Sequence, residues 1–161
     1  MGERLKRAWT GYKSYKLVLR IIAAFVGITV GIAGCIVFAM VYHNYNAASW
    51  AGVSAIFATV FLHLHFAVRR DLERVITRNK FNVIMWIGFG GLWSGIIGFI
   101  INIAFGVKNH ESGVNTNRNF IVCVWNFMTF KWGLLTFLAA RKFRKIYYEV
   151  DPQSRGLVQS A

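Results

Sequence analysis

The sequence is poor in the groups that most enzymes and metal proteins use. Only six of its 161 residues are acidic, against nineteen lysines and arginines. All six (Glu3, Asp71, Glu73, Glu111, Glu149 and Asp151) fall outside the long apolar stretches. No carboxylate therefore sits where an intramembrane proton-coupled exporter would need one. The two cysteines, Cys35 and Cys123, match no zinc spacing and build no disulfide framework, so each reads as a small buried hydrophobe. There is one proline, no Pro- or Ser-rich linker and no internal repeat, so nothing divides the chain. No serine stands in a nucleophile elbow, and no phosphate-binding glycine loop leads into a helix. No enzymatic activity is expected.

What the chain has in abundance is apolar length. Hydrophobic residues make up 56% of it, and four runs, at about 18–42, 48–68, 82–106 and 120–140, are each long enough to cross a bilayer core. The sequence predicts one all-α membrane domain over residues 1–161, with 141–161 as a cytosolic tail. The short connectors predict an up-down bundle. The formal net charge of +13 is distributed unevenly. Six cations (Arg4, Lys6, Arg7, Lys13, Lys16 and Arg20) lie at the start, and five (Arg69, Arg70, Arg74, Arg78 and Lys80) in the second connector. Five more (Arg141, Lys142, Arg144, Lys145 and Arg155) lie in the tail, whereas the other two connectors carry only Lys108 and Arg118. By the positive-inside rule both termini are cytosolic. The charge encodes topology, and nucleic acid is not an expected partner. The first run follows a basic leader and is too long for a signal core, so it reads as an uncleaved anchor.

Gly27-x-x-x-Gly31 and Gly91-x-x-x-Gly95 have the spacing that lets membrane helices approach closely, within or between subunits. Trp50, Trp86, Trp125 and Trp132 include candidate interface anchors.

Few side chains remain for chemistry. His43 and His110 fall in the outer connectors, and His63 and His65 in the second span. The last two are two residues apart and point to nearly opposite helix faces, so one at most faces a central pathway. His63, the deeper, is taken first. The stretch 121–148 carries Lys131 near mid-span and then runs into Arg141, Lys142, Phe143, Arg144, Lys145, Tyr147 and Tyr148. A charge in a span costs roughly 2.5–3.5 kcal/mol on insertion scales and marks a functional candidate. Only one span carries histidines, which argues against a fixed bis-histidine haem, and a structural zinc site lacks its ligands. What remains is a vertical series: imidazole outside, imidazole within, and a cationic-aromatic patch at the cytosolic exit. Such a series suits a passing iron porphyrin, whose iron takes imidazole, whose ring stacks on aromatics and whose propionates pair with Arg or Lys.

The segment VWNFMTFKWGLLTFLAARKFRKIYY resembles the fourth span and tail of the haem-responsive-gene family, four-span haem transporters of animals, and most nearly its nematode members. The closest points are Val124-Trp125, Phe130-Lys131-Trp132 and Ala140-Arg141-Lys142. MVYHNYNAASWAGVSAIFATVFLHLHF resembles the family's first connector and second span. The resemblance implies haem movement toward the cytosol. It would put an outer-loop histidine at His110, a second-span ligand at His63 or His65, and an aromatic-Ala-Arg-Lys-Tyr exit motif at Ala139–Phe143. Both aromatic ends of that motif depart here: Ala139 replaces the first, and Phe143 lacks the hydroxyl of the last.

Taken together, the expectation is a haem importer acting from outside the cell or from an endolysosomal lumen. His110, with His43 second, captures haem, and His63 or His65 ligates its iron within the bundle. Arg141, Lys142 and Phe143 receive it, and Lys131 pairs with a propionate or hydrogen-bonds in the core. Haem is cargo rather than a fixed cofactor, the bilayer is the solvent, and a homo-oligomer is expected. The plasma membrane is the first location, with an endosomal or lysosomal membrane as the alternative. The competing reading is a non-transporting tetraspan scaffold or accessory subunit with structural histidines. An electron-transfer cytochrome is third.

Overall fold

A computed structural model describes residues 15–69, 78–111 and 118–150. The leader, most of the basic second connector, the stretch 112–117 and the tail from 151, including Arg155, lie outside the described residues. Every described element is an α-helix: α1 Tyr15–Met40, α2 Tyr45–Arg69, α3 Arg78–Lys108 and α4 Asn119–Val150. All four are long and apolar enough to cross a membrane, over Val18–Met40, Tyr45–Phe66, Asn79–Lys108 and Asn119–Lys145.

The helix ends differ from the expected apolar runs by one to ten residues, and two of these differences have a local reason. α2 starts at Tyr45 because the Asn44 side-chain oxygen accepts the Ala47 amide at 3.1 Å and caps the helix there. α4 stays helical past 141, as far as Val150. Ala139, Ala140, Arg141 and Lys142 are strong helix formers, and no glycine or proline intervenes before Pro152, so the helix carries the exit cluster outward as a continuous rod.

In lipid there is little hydrophobic drive between helices, and close packing of small residues takes over. α2 and α4 form the central pair, α1 packs on α2, and α3 packs on α4. On α3 and α4 the paired residues run in opposite order: Gly88 lies against Phe137, and Gly95 against Phe130. A Cβ added to Gly95 would stand 2.5 Å from the Phe130 amide nitrogen and 2.8 Å from the Asn126 carbonyl oxygen, so these two backbones touch. The Gly27/Gly31 pair on α1 serves two partners. Gly31 receives Ala51 and Ala55 of α2, while Gly27 receives the Trp132 ring of α4. Trp125 and Trp132 are thus not interface anchors. They are buried wedges that fill the glycine notches of α1, with Trp125 against Gly34, whereas Trp86 is exposed.

The C-terminal ends of α1 and α3 are built alike. His43 and His110 both have φ 51°, the left-handed conformation that follows a helix. At α3 the pattern is a Schellman closure, with the His110 amide on the Val107 carbonyl and the Glu111 amide on the Gly106 carbonyl. The residue after each histidine then binds the next helix. Asn44 caps α2, and the Glu111 carboxylate accepts the backbone amide and side-chain amide of Asn119, each at 2.8 Å, at the start of α4. An anion at a helix N-terminus also meets the positive end of its dipole.

Left-handed backbone costs an L-residue about 1–2 kcal/mol, which glycine avoids. His110→Gly should therefore hold or raise the unfolding temperature in detergent, while His110→Val should lower it. The glycine variant removes the imidazole without harming the turn, which separates a ligand role from a capping role.

Candidate functional site in the α2–α4 seam

The site grows from the way α2 meets α4. Along this seam the residue numbers rise together, Phe61 meeting Trp132 with ring centroids 5.7 Å apart and His65 meeting Phe143 at 5.6 Å. His65 is fully buried, and its ring also lies on Phe61, with centroids 4.1 Å apart. Its Nδ1 is 2.9 Å from the Phe61 carbonyl oxygen. A carbonyl can only accept, so Nδ1 carries a proton, and in the neutral ring Nε2 then presents a bare lone pair. That Nε2 is buried and has no hydrogen-bond partner. A backbone-anchored Nδ1 with a free Nε2 is the arrangement by which proteins orient an imidazole toward a metal.

Thr136 stands on the same face of α4, between Trp132 and Phe143. Thr29, Thr59 and Thr129 each donate their hydroxyl to the carbonyl four residues earlier, at 2.9–3.0 Å. The buried Thr136 Oγ1 makes no such bond and has no other partner. An unpaired buried hydroxyl costs about 1–3 kcal/mol. Thr136→Val should accordingly raise thermal stability, whereas Thr136→Ser should leave it near the parent value.

A second polar level lies nearer the α1–α2 and α3–α4 turns. Asn46 donates to Asn102 at 3.2 Å, and Asn102 donates to the Gly98 carbonyl at 2.8 Å. Asn126 is buried against Gly98 and Trp50 with both amide atoms unpartnered, and Trp125 Nε1 is likewise buried and unpaired. Among the described residues, unpaired polar atoms are thus strung along the interior at two depths.

The candidates named from sequence are scattered by this fold. His65 and Phe143 come together. His63, taken first by depth, lies exposed on the opposite face of α2. Lys131 is exposed on the far side of α4, with its ammonium 5.1 Å from the Trp132 ring centroid, so it is not a core hydrogen-bond donor. His43 and His110 are exposed at the turns that follow α1 and α3. Arg141 and Lys142 are exposed on the helical extension, and Arg144 donates to the Asn82 side chain of α3 at 3.1 Å. Phe143 is buried rather than offered at an exit, so its face is not open for stacking. Thr136 and Asn126 went unseen in the sequence. The available signal for Thr136 was its place one turn after Trp132 and three turns after Trp125 on one helical face; Asn126, turned toward α3, had none.

Among the described residues no group of three or more histidine, cysteine or carboxylate side chains could hold a metal ion. His65 offers a single nitrogen, enough for one axial bond to an iron whose other ligands come with its ring.

Four apolar helices of spanning length, packed through glycine notches, define a multi-pass, all-helical membrane protein. No protein-family model, curated protein or solved structure matches the chain.

Proposed function

We propose that this protein is a haem transporter of the plasma membrane or an endolysosomal membrane, moving haem toward the cytosol, with His65 as the intramembrane ligand. The observation that carries the reading is the His65 Nε2 lone pair: buried, unpaired, and held between aromatic rings in the α2–α4 seam. The seam is packed shut, so passage requires α2 and α4 to part, which would expose the Phe61, Phe143 and Trp132 rings to a flat ligand. Thr136 then supplies a hydroxyl beside it. Up-down threading with both termini cytosolic is supported by the paired orders of the helices and by the placement of the cations. In that orientation His110 and His43 stand at the outer entrance, and Arg141 and Lys142 lie at the cytosolic end to pair with propionates. The resemblance to the haem-responsive-gene family points the same way.

Uptake of a fluorescent metalloporphyrin by cells expressing the chain tests this. Uptake above that of empty cells supports the proposal, and uptake equal to theirs sinks it. In the same assay, the outer-capture role predicts that His110→Gly raises the haem concentration for half-maximal uptake several-fold and leaves the maximal rate unchanged.

A scaffold reading has one observation in its favour. The left-handed turns account for His43 and His110 without any ligand. It leaves the bare nitrogen of His65 unexplained.

A further inference from the structure

Two polar side chains within the candidate spans face outward, Lys131 near the middle of its span and His63 toward the end of its own. Lys131 is exposed on α4 and His63 on α2, and among the described residues neither has a hydrogen-bond or ion-pair partner. Lys131 is twelve residues from the start of α4 and ten from Arg141, about 18 Å and 15 Å along the helix. Those distances exceed the reach of a lysine stem, so the ammonium cannot snorkel to either interface. The Trp132 ring lies 5.1 Å from the ammonium, and a hydrogen-bond acceptor would lower the cost of the charge further.

The two residues lie on opposite sides of one protomer. α2 turns Phe61 and His65 to α4, and its uncovered stripe is Ser49, Ile56 and His63. α4 turns Trp132 and Phe143 to α2, and its uncovered stripe is Val124, Phe127, Lys131 and Leu138. They are also matched in depth. Phe61 meets Trp132, His63 is two residues beyond the first and Lys131 one before the second, a difference of about 4.5 Å. A lysine side chain spans that.

We propose that a second copy of this chain docks on the first, with the Lys131 stripe of one protomer on the His63 stripe of the next. The ammonium donates to an imidazole nitrogen, and both groups leave the lipid. The two stripes differ, so the contact is heterologous: each copy uses both of them, and successive copies follow one another head to tail. A two-fold contact through either stripe alone would face ammonium with ammonium, or would leave Lys131 in lipid. This inference does not depend on the identity of the transported ligand.

The test is cross-linking in membranes with a short bis-maleimide, in a Cys35→Ala, Cys123→Ala background. One tagged copy carries Lys131→Cys and a differently tagged copy carries His63→Cys. The mixed pair should cross-link, and two Lys131→Cys copies should not. His63→Gln, which keeps an acceptor, should retain the oligomer mass seen by light scattering in mild detergent, and His63→Leu should lose it. Equal cross-linking between two Lys131→Cys copies would overturn the proposal, and so would a monomer mass for the parent protein.

Discussion

Replacing Gly95 with valine should destabilise the protein by about 3 kcal/mol, at the upper end of the usual cost of overpacking. The added Cβ alone would stand 2.5 Å from the Phe130 amide nitrogen and 2.7 Å from its Cα. Those are backbone atoms of α4, and no side-chain rotation relieves them. The two helices must part, which also breaks the adjoining contacts at Gly88, Gly91 and Gly133. The control lies five residues back on the same helix. Around Gly90 an added Cβ meets nothing within 4 Å, so Gly90→Ala should be neutral or gain up to about 1 kcal/mol from helix propensity. Thermal unfolding in detergent, followed by circular dichroism, compares the two. Equal effects would mean that α3 and α4 do not pack this way.

The second large effect concerns His65 and has two opposite parts. Phenylalanine keeps a ring on Phe61 and Phe143 and removes the unpaired Nε2, whose burial costs about 1–3 kcal/mol. His65→Phe should therefore raise the unfolding temperature while reducing metalloporphyrin uptake to the level of empty cells. Stability gained where activity is lost is the mark of a residue kept for function. At exposed His63, glutamine, which keeps the acceptor proposed to face Lys131 of the next copy, should leave uptake close to that of the parent. A His65→Phe variant that transports normally would return the residue to a structural role.

How much of this was legible before the fold was known differs from residue to residue. The four spans stood out because bilayer thickness sets helix length, and apolar runs of that length are visible directly. That His63 and His65 face opposite ways follows from helical geometry, but which of them faces inward depends on where α4 lies. Depth alone favoured His63, and packing chose His65. Lys131 drew attention as a charge within a span, yet the side of α4 that it occupies is set by Gly91, Gly95 and Gly133, whose partners are distant in sequence. Trp125 and Trp132 suit a membrane interface by residue type, and only the facing glycines show them to be wedges. Thr136 and Asn126 carry no signal as residue types. Their interest lies in hydrogen bonds that they do not make.

The central claim is that His65 Nε2 is a ligand for haem iron, and titration of haemin into the purified protein tests it most directly. The account predicts a saturable shift of the Soret band for the parent protein, retained in His63→Phe and abolished in His65→Phe. A Soret shift unchanged in His65→Phe, or none in the parent protein, would contradict it.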